Sequence, residues 1–97
     1  MSQGMKIGVL RVHFMIHDAQ SLKQKRQVLR SLKDRLLNKF NISVAEIGLN
    51  DKWQVGELGV ATVGNDARFV SSVMEEVKNF IQLNPAVRII ESAIDVI

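Results

Sequence analysis

The sequence predicts an α+β fold in which a four-stranded antiparallel sheet carries two helices on one face. Four segments rich in β-branched residues alternate apolar and polar positions with the two-residue period of a strand. Two longer segments repeat apolar residues at helical spacing, and each follows a residue that can cap a helix. The segments are ordered βαββαβ, and right-handed crossovers then place both helices on the same side of the sheet. This arrangement is the ferredoxin-like plait.

Length and composition narrow the classes of protein further. The 97 residues are expected to form one domain, since two would each be too small to bury a core, and residues 1–4 are expected to be frayed. The chain has no Cys, which excludes disulfides and Cys-ligated zinc. The longest apolar run, residues 7–16, is interrupted by Arg11 and His13. Neither a signal peptide nor a membrane span is therefore predicted, and the expected location is cytoplasmic.

The first strand is predicted over residues 5–16, and its two faces differ. One face is wholly apolar and should meet the helices: Leu10, Val12, Phe14 and Ile16. The other should lie on the uncovered side of the sheet: Ile7, Val9, Arg11, His13 and Met15.

The first helix is predicted from about Leu22 to Lys39, with the Ser21 hydroxyl as its cap. After it, Asn41 is expected to adopt the left-handed conformation that often ends a helix. The residues predicted to face the core are Leu22, Val28, Leu29, Leu32, Leu36 and Phe40.

The second half of the chain supplies the other elements. A second strand is predicted over residues 42–49, a turn over residues 50–52, and a third strand from about Trp53 to Val63. Leu58 and Val60 should point to the helices, because the opposite register would bury Glu57. Asp66 should cap the second helix, Pro85 should follow its end, and residues 86–97 should form the last strand. The second helix is predicted to bury Phe69, Val70, Val73, Met74, Val77, Phe80 and Ile81.

Charge is distributed unevenly along the chain. Residues 1–39 carry nine Lys and Arg against two acids, whereas residues 40–97 carry four against eight. Seven of the thirteen basic residues lie between Ser21 and Phe40. The fold should therefore have a basic and an acidic face, which suits an anionic partner or self-association.

The first helix contains the candidate nucleic-acid site. Four of its cations are spaced three, four and three residues apart and should project along one edge, so phosphate could supply the missing anions. Lys25 lies close to the apolar centre of the first turn and is expected to extend out at the helix end, beside Ser21, toward an anion. The alternative is a solvated flank whose stems cover the edge of the core. The candidate nucleic-acid-binding residues are Lys23, Lys25, Arg26, Arg30 and Lys33.

The uncovered sheet face is the candidate site for a protein partner or a second copy of the chain. It should combine apolar positions with Gly59 and Ala61 at its centre. Arg11 and His13 lie on this face, and Trp53 either covers one end of the core or is an exposed anchor for a partner.

Particular segments resemble a known family. SLKQKR at residues 21–26 and DKWQ at residues 51–54 are similar to the motifs of the YlxP-like proteins, a bacterial domain of unknown function numbered 503, and the resemblance covers nearly the whole chain. It implies a ferredoxin-like fold and, because the family's genes often neighbour translation-factor genes, an RNA or ribosomal partner. The family often has a basic residue after Trp-Gln, where this chain has Val55 and Gly56.

No enzyme signature is present in the sequence. Acylphosphatases share this size and topology, but that family needs an Arg in a glycine-containing loop after the first strand, and residues 17–20 contain neither. An acylphosphatase-like activity is thus the least favoured reading. His13 has no carboxylate or Cys at ligand spacing, and His17 with Asp18 is typical of a turn. The sequence therefore predicts a non-catalytic binding module without a metal or cofactor.

Overall fold

The computed structural model describes residues 4–97 and confirms the ferredoxin-like fold. Its antiparallel sheet has the strand order β2-β3-β1-β4. The fraying expected for residues 1–4 falls almost entirely outside the described range. The elements are β1 (Lys6–Ile16), α1 (Leu22–Lys39), β2 (Ser43–Gly48), β3 (Val55–Gly64), α2 (Ala67–Gln82) and β4 (Val87–Val96).

The hydrophobic core lies between the sheet and the two helices. Leu58 and Val60 point into it, which confirms the predicted register of β3. Phe14 and Val12 of β1 are fully buried in it. The helices contribute Leu29, Leu32 and Leu36 from α1, and Val70, Met74, Val77 and Ile81 from α2.

The second helix approaches β1 closely at Gly8. A Cβ atom at Gly8 would lie 2.7 Å from the Val70 carbonyl oxygen, which is part of the helix backbone and cannot move aside alone. Val70 therefore occupies the position over the strand, and Phe69 projects away with 57% of its surface exposed. The prediction that Phe69 belongs to the core is wrong for this reason.

Both ends of α1 are closed by side chains. The Ser21 hydroxyl accepts a hydrogen bond from the Gln24 backbone N–H at 3.1 Å, as predicted, and the Gln24 side chain accepts one from the Gln20 N–H at 2.6 Å. At the other end Phe40 is extended, with φ −124°. Its ring packs edge to face on Phe80, with the ring centroids 5.9 Å apart. This packing ends the helix, so the left-handed conformation expected at Asn41 does not occur.

The turn between β2 and β3 differs from its prediction. Leu49, which precedes the predicted turn residues, has a left-handed backbone with φ 61°, and the Lys52 N–H donates to the Leu49 carbonyl at 3.1 Å. The third strand then starts at Val55 and not at Trp53. Two backbone carbonyls of this turn point toward the first helix, and a single side chain accounts for that orientation.

Candidate functional site

Lys25 holds the β2–β3 turn against the first helix. Only 1% of its surface is exposed. Its Nζ atom donates hydrogen bonds to the Leu49 carbonyl at 2.6 Å and to the Lys52 carbonyl at 2.5 Å. A buried ammonium group needs such partners, because desolvating it alone would cost several kcal/mol. Gly56 leaves space for the neighbouring Phe14 ring, since a Cβ there would lie 2.9 Å from that ring, whereas Lys25 Cε would be at an ordinary contact distance of 3.6 Å.

Glu46 supplies the counter-charge for Lys25. Its Oε2 atom lies 3.2 Å from Lys25 Nζ, and its side chain is 21% exposed. The separation is short enough for a hydrogen bond, but Oε2 has no correctly oriented donor among residues 4–97, so the contact is an ion pair. Lys25 and Glu46 each sit alone on an otherwise apolar face, one on a helix and one on a strand. Two lone opposite charges of that kind are a signal for pairing that the sequence reasoning missed.

The burial of Lys25 corrects the predicted nucleic-acid site. Lys25 was expected to reach out of the helix end, but its ammonium group is held by Glu46 and two carbonyls instead. It is therefore unavailable to phosphate, and the anion site expected beside Ser21 loses its central cation.

The four remaining cations of the predicted site form one line along α1, which we call the basic flank. Asp34 is the nearest acid in the helix, yet it forms no ion pair with them. Within residues 4–97 two ion pairs occur, Lys25–Glu46 and Arg11–Glu57, and neither involves the basic flank. Leu37, on the same side of the helix, is 51% exposed. The basic flank consists of Lys23, Arg26 and Arg30, which are exposed, and Lys33, which is half-buried.

The uncovered face of the sheet contains a shallow groove of about 530 Å³, which we call the sheet groove. Gly59 lies in its floor, and a Cβ there would meet the Ile47 side chain at 2.9 Å, so Ile47 leans across the sheet. The register confirms the predicted positions of β1 and β3 on this face. Two cross-strand rows line the groove: Asp95, Val9, Ala61 and Ser43, then Ala93, Arg11, Gly59 and Ala45.

Beside the sheet groove, His13 lies between two carboxylates. Its strand partners are Glu57 on β3 and Glu91 on β4. Arg11 Nε is 3.5 Å from Glu57 Oε2, although 70% of the Arg11 side chain is exposed. The structure thus places Arg11 and His13 together. Nowhere in residues 4–97 are three or more potential metal-ligating side chains arranged to hold an ion.

Trp53 lies apart from Arg11 and His13, at the end of the sheet. It is 38% exposed and lines a cleft of about 670 Å³, which we call the turn cleft. The cleft is formed by residues 15–20, between β1 and α1, and by residues 53–55, before and at the start of β3. Lys25 of the SLKQKR segment donates to the carbonyl of Lys52 in the DKWQ segment, so the two segments that carry the family-like motifs are neighbours in space. Over the described part of the chain, no helix combines the length and apolar character needed to cross a bilayer.

Comparisons with known proteins support the family resemblance of the two motifs. Residues 7–94 match the family model described as "Protein of unknown function (DUF503)". The chain is 38% identical over 81 residues to the uncharacterized protein YlxP of Bacillus subtilis (strain 168), with 84% of this chain and 88% of that protein covered. Among solved structures, the de novo designed protein Foldit4 superimposes with a TM-score of 0.52 at 14% identity, covering 96% of both chains. That likeness concerns the fold alone.

Proposed function

Because this chain belongs to the DUF503 family, whose function is unknown, we propose a function from its surface: a cytoplasmic, non-catalytic module that binds RNA through the basic flank. The observation that carries the proposal is the line of four cations on α1, which have no ion-pair partner in residues 4–97. Like charges at helical spacing repel each other by a few tenths of a kcal/mol per pair. A polyanion would remove that repulsion.

The geometry of the basic flank suits a chain of phosphates better than a single one. Lys23 and Lys33 are ten residues apart, so the line extends roughly 15 Å along the helix axis. The helix is fixed on the sheet by Leu29, Leu32 and Leu36, and the cations are therefore presented from a rigid element.

The sheet offers little support for base-specific reading. RNA recognition motifs share this topology and stack bases on aromatic side chains of the central strands. Of Phe, Tyr and Trp, β1 and β3 contain only Phe14, which is fully buried in the core. Binding through the basic flank should thus depend on charge and shape, with weak sequence preference.

The test is binding of bulk ribosomal RNA over a salt series. Four phosphate contacts predict a slope of log affinity against log salt of about −3 to −4, a loss of about two decades between 50 and 200 mM. Replacing all four residues of the basic flank by Glu should abolish most of the binding and flatten the slope.

A matched control changes the same net charge elsewhere. Arg35, Arg68, Lys78 and Arg88 lie outside the basic flank and form no ion pair within the described residues, so they can also be replaced by Glu. This control should keep most of the salt slope. Absence of binding at low salt, or equal losses in both variants, would contradict the proposal.

A second candidate function is homodimerisation or protein binding through the sheet groove. The favouring observation is the apolar, small-residue floor formed by Val9, Gly59 and Ala61 on a face that no other element within residues 4–97 covers. Light scattering at high micromolar concentration should then show a dimer, and Ala61→Arg should dissociate it. A strictly monomeric protein would rule out the dimer, and only then would a different protein partner need testing.

A further inference from the structure

Building on the proposed RNA binding, we propose that the turn cleft accepts an unpaired base of that RNA, stacked on Trp53. The protein would then prefer single strands to duplexes. The expected ligand is therefore RNA with unpaired, accessible bases and not RNA in general.

Backbone hydrogen bonds fix the turn cleft in place. The Ile16 N–H donates to the Gln54 carbonyl at 2.8 Å and joins the two walls, and the His17 N–H donates at 2.9 Å to the carbonyl of Ala86, outside the cleft. Asp18 adopts a left-handed backbone with φ 62°, which is uncommon for a residue other than Gly and keeps the loop sharply turned. The cleft is therefore a formed feature of the fold and does not need a ligand to assemble it.

The side chains of the turn cleft suit a base. Trp53 lines the cleft and is 38% exposed, so its indole is accessible for a base to stack on. Gln20 and Gln54 line the same cleft and are exposed. Each amide can both donate and accept a hydrogen bond, and the pair can therefore meet the edge of any base.

The charges near the turn cleft favour a base inside the cleft and phosphates outside it. Asp18 lines it and Asp51 is close by in the turn, so a phosphate inside would meet negative charge. Lys52 immediately precedes Trp53, and its carbonyl is held by Lys25 against the first turn of α1. The basic flank begins in that same turn, at Lys23. A strand can thus place its phosphates on the basic flank and a neighbouring base in the turn cleft.

Tryptophan fluorescence tests this directly, because Trp53 is the only Trp in the chain. The wild-type protein is titrated with a mixed-sequence 12-nucleotide single-stranded RNA and with the same RNA as a blunt duplex. Single strands should quench the emission and protect Trp53 from acrylamide, whereas duplex should do neither, because its base faces are covered. Binding of both is followed independently by anisotropy of labelled RNA.

Two variants measure how much stacking on Trp53 contributes to single-strand affinity. Trp53→Ala should lower single-strand affinity about 5- to 150-fold, the usual range for one base stacked on an aromatic ring, and leave duplex affinity unchanged. Trp53→Phe should retain most of the affinity. Circular dichroism checks the fold of both, and the wild-type quenching decides the matter if Trp53→Ala does not fold.

The outcomes distinguish this inference from the proposed function. RNA binding with unchanged Trp53 emission, or full single-strand affinity in a folded Trp53→Ala variant, overturns the base stack and leaves the basic flank intact. If the wild-type protein binds no RNA, both the base stack and the proposed RNA binding are wrong.

Discussion

The first helix uses its cations in two different ways. Lys25 is buried with a carboxylate and two carbonyls around it, whereas Arg26, the next residue, is exposed and without an ion-pair partner in residues 4–97. Sequence alone makes these residues equivalent in charge and adjacent in position. The difference is that Lys25 faces the β2–β3 turn, whose carbonyls require a donor. A basic motif can therefore serve the fold and a partner within a single helical turn.

The largest expected effect is on stability, through Lys25. Lys25→Met should lower the free energy of unfolding by about 3–5 kcal/mol, because it leaves a partly buried carboxylate without its cation and two carbonyls without a donor. The lower part of that range is expected, since Glu46 is 21% exposed. Urea denaturation measures the change.

The matched control for Lys25 is Lys23→Met, which makes the same substitution on the basic flank. It should change stability by no more than about 0.5 kcal/mol. If both variants lose equal stability, the division of the helix into a structural cation and an exposed flank is wrong. A Lys25→Met/Glu46→Leu double variant should recover part of the loss, because no uncompensated charge remains.

The next largest effect is on RNA affinity, through the basic flank. Replacing Lys23, Arg26, Arg30 and Lys33 by Gln should weaken binding by about 100-fold at 50 mM salt, because four phosphate contacts are lost. The same variant should be as stable as the wild type or slightly more so, since like-charge repulsion is removed. Anisotropy and urea denaturation on one preparation test both statements. A variant that loses stability as well would show that the basic flank also serves the fold.

The sequence predicted the fold well because periodicity is set by local geometry. The alternation in β1 and β3 was enough to assign the core side, and the caps at Ser21 and Asp66 were correctly placed. Helical spacing also identified the line of cations. The lone charges of Lys25 and Glu46 on apolar faces indicated their pairing, but the two carbonyl contacts of Lys25 could not be predicted, because Leu49 and Lys52 are more than twenty residues away in the chain. The orientation of these two carbonyls depends on the left-handed backbone at Leu49. Leu is not a residue type that predicts such a conformation.

A smaller effect tests how far Lys25 depends on its counter-charge. Glu46→Gln keeps the shape of the side chain but removes the charge facing Lys25 Nζ, and it should cost about 1.5 kcal/mol of unfolding free energy. The cost should be below that of Lys25→Met because the two carbonyl contacts of the ammonium group remain. Thermal denaturation with circular dichroism measures it. A larger loss than in Lys25→Met would mean that Glu46, and not Lys25, is the principal anchor of the turn.

The smallest expected effect tests whether RNA binding depends on the basic flank itself or only on the net charge of the protein. Arg30→Gln should reduce the magnitude of the salt slope by roughly 0.7 to 0.9, the share of one phosphate contact, and weaken binding about threefold at 50 mM salt. Arg35→Gln removes the same charge from the opposite flank of α1, which faces residues 84–86 before β4, and should leave the slope unchanged. Equal changes in both variants would mean that RNA responds to the summed field of the protein. Unequal changes would support contacts with the basic flank itself.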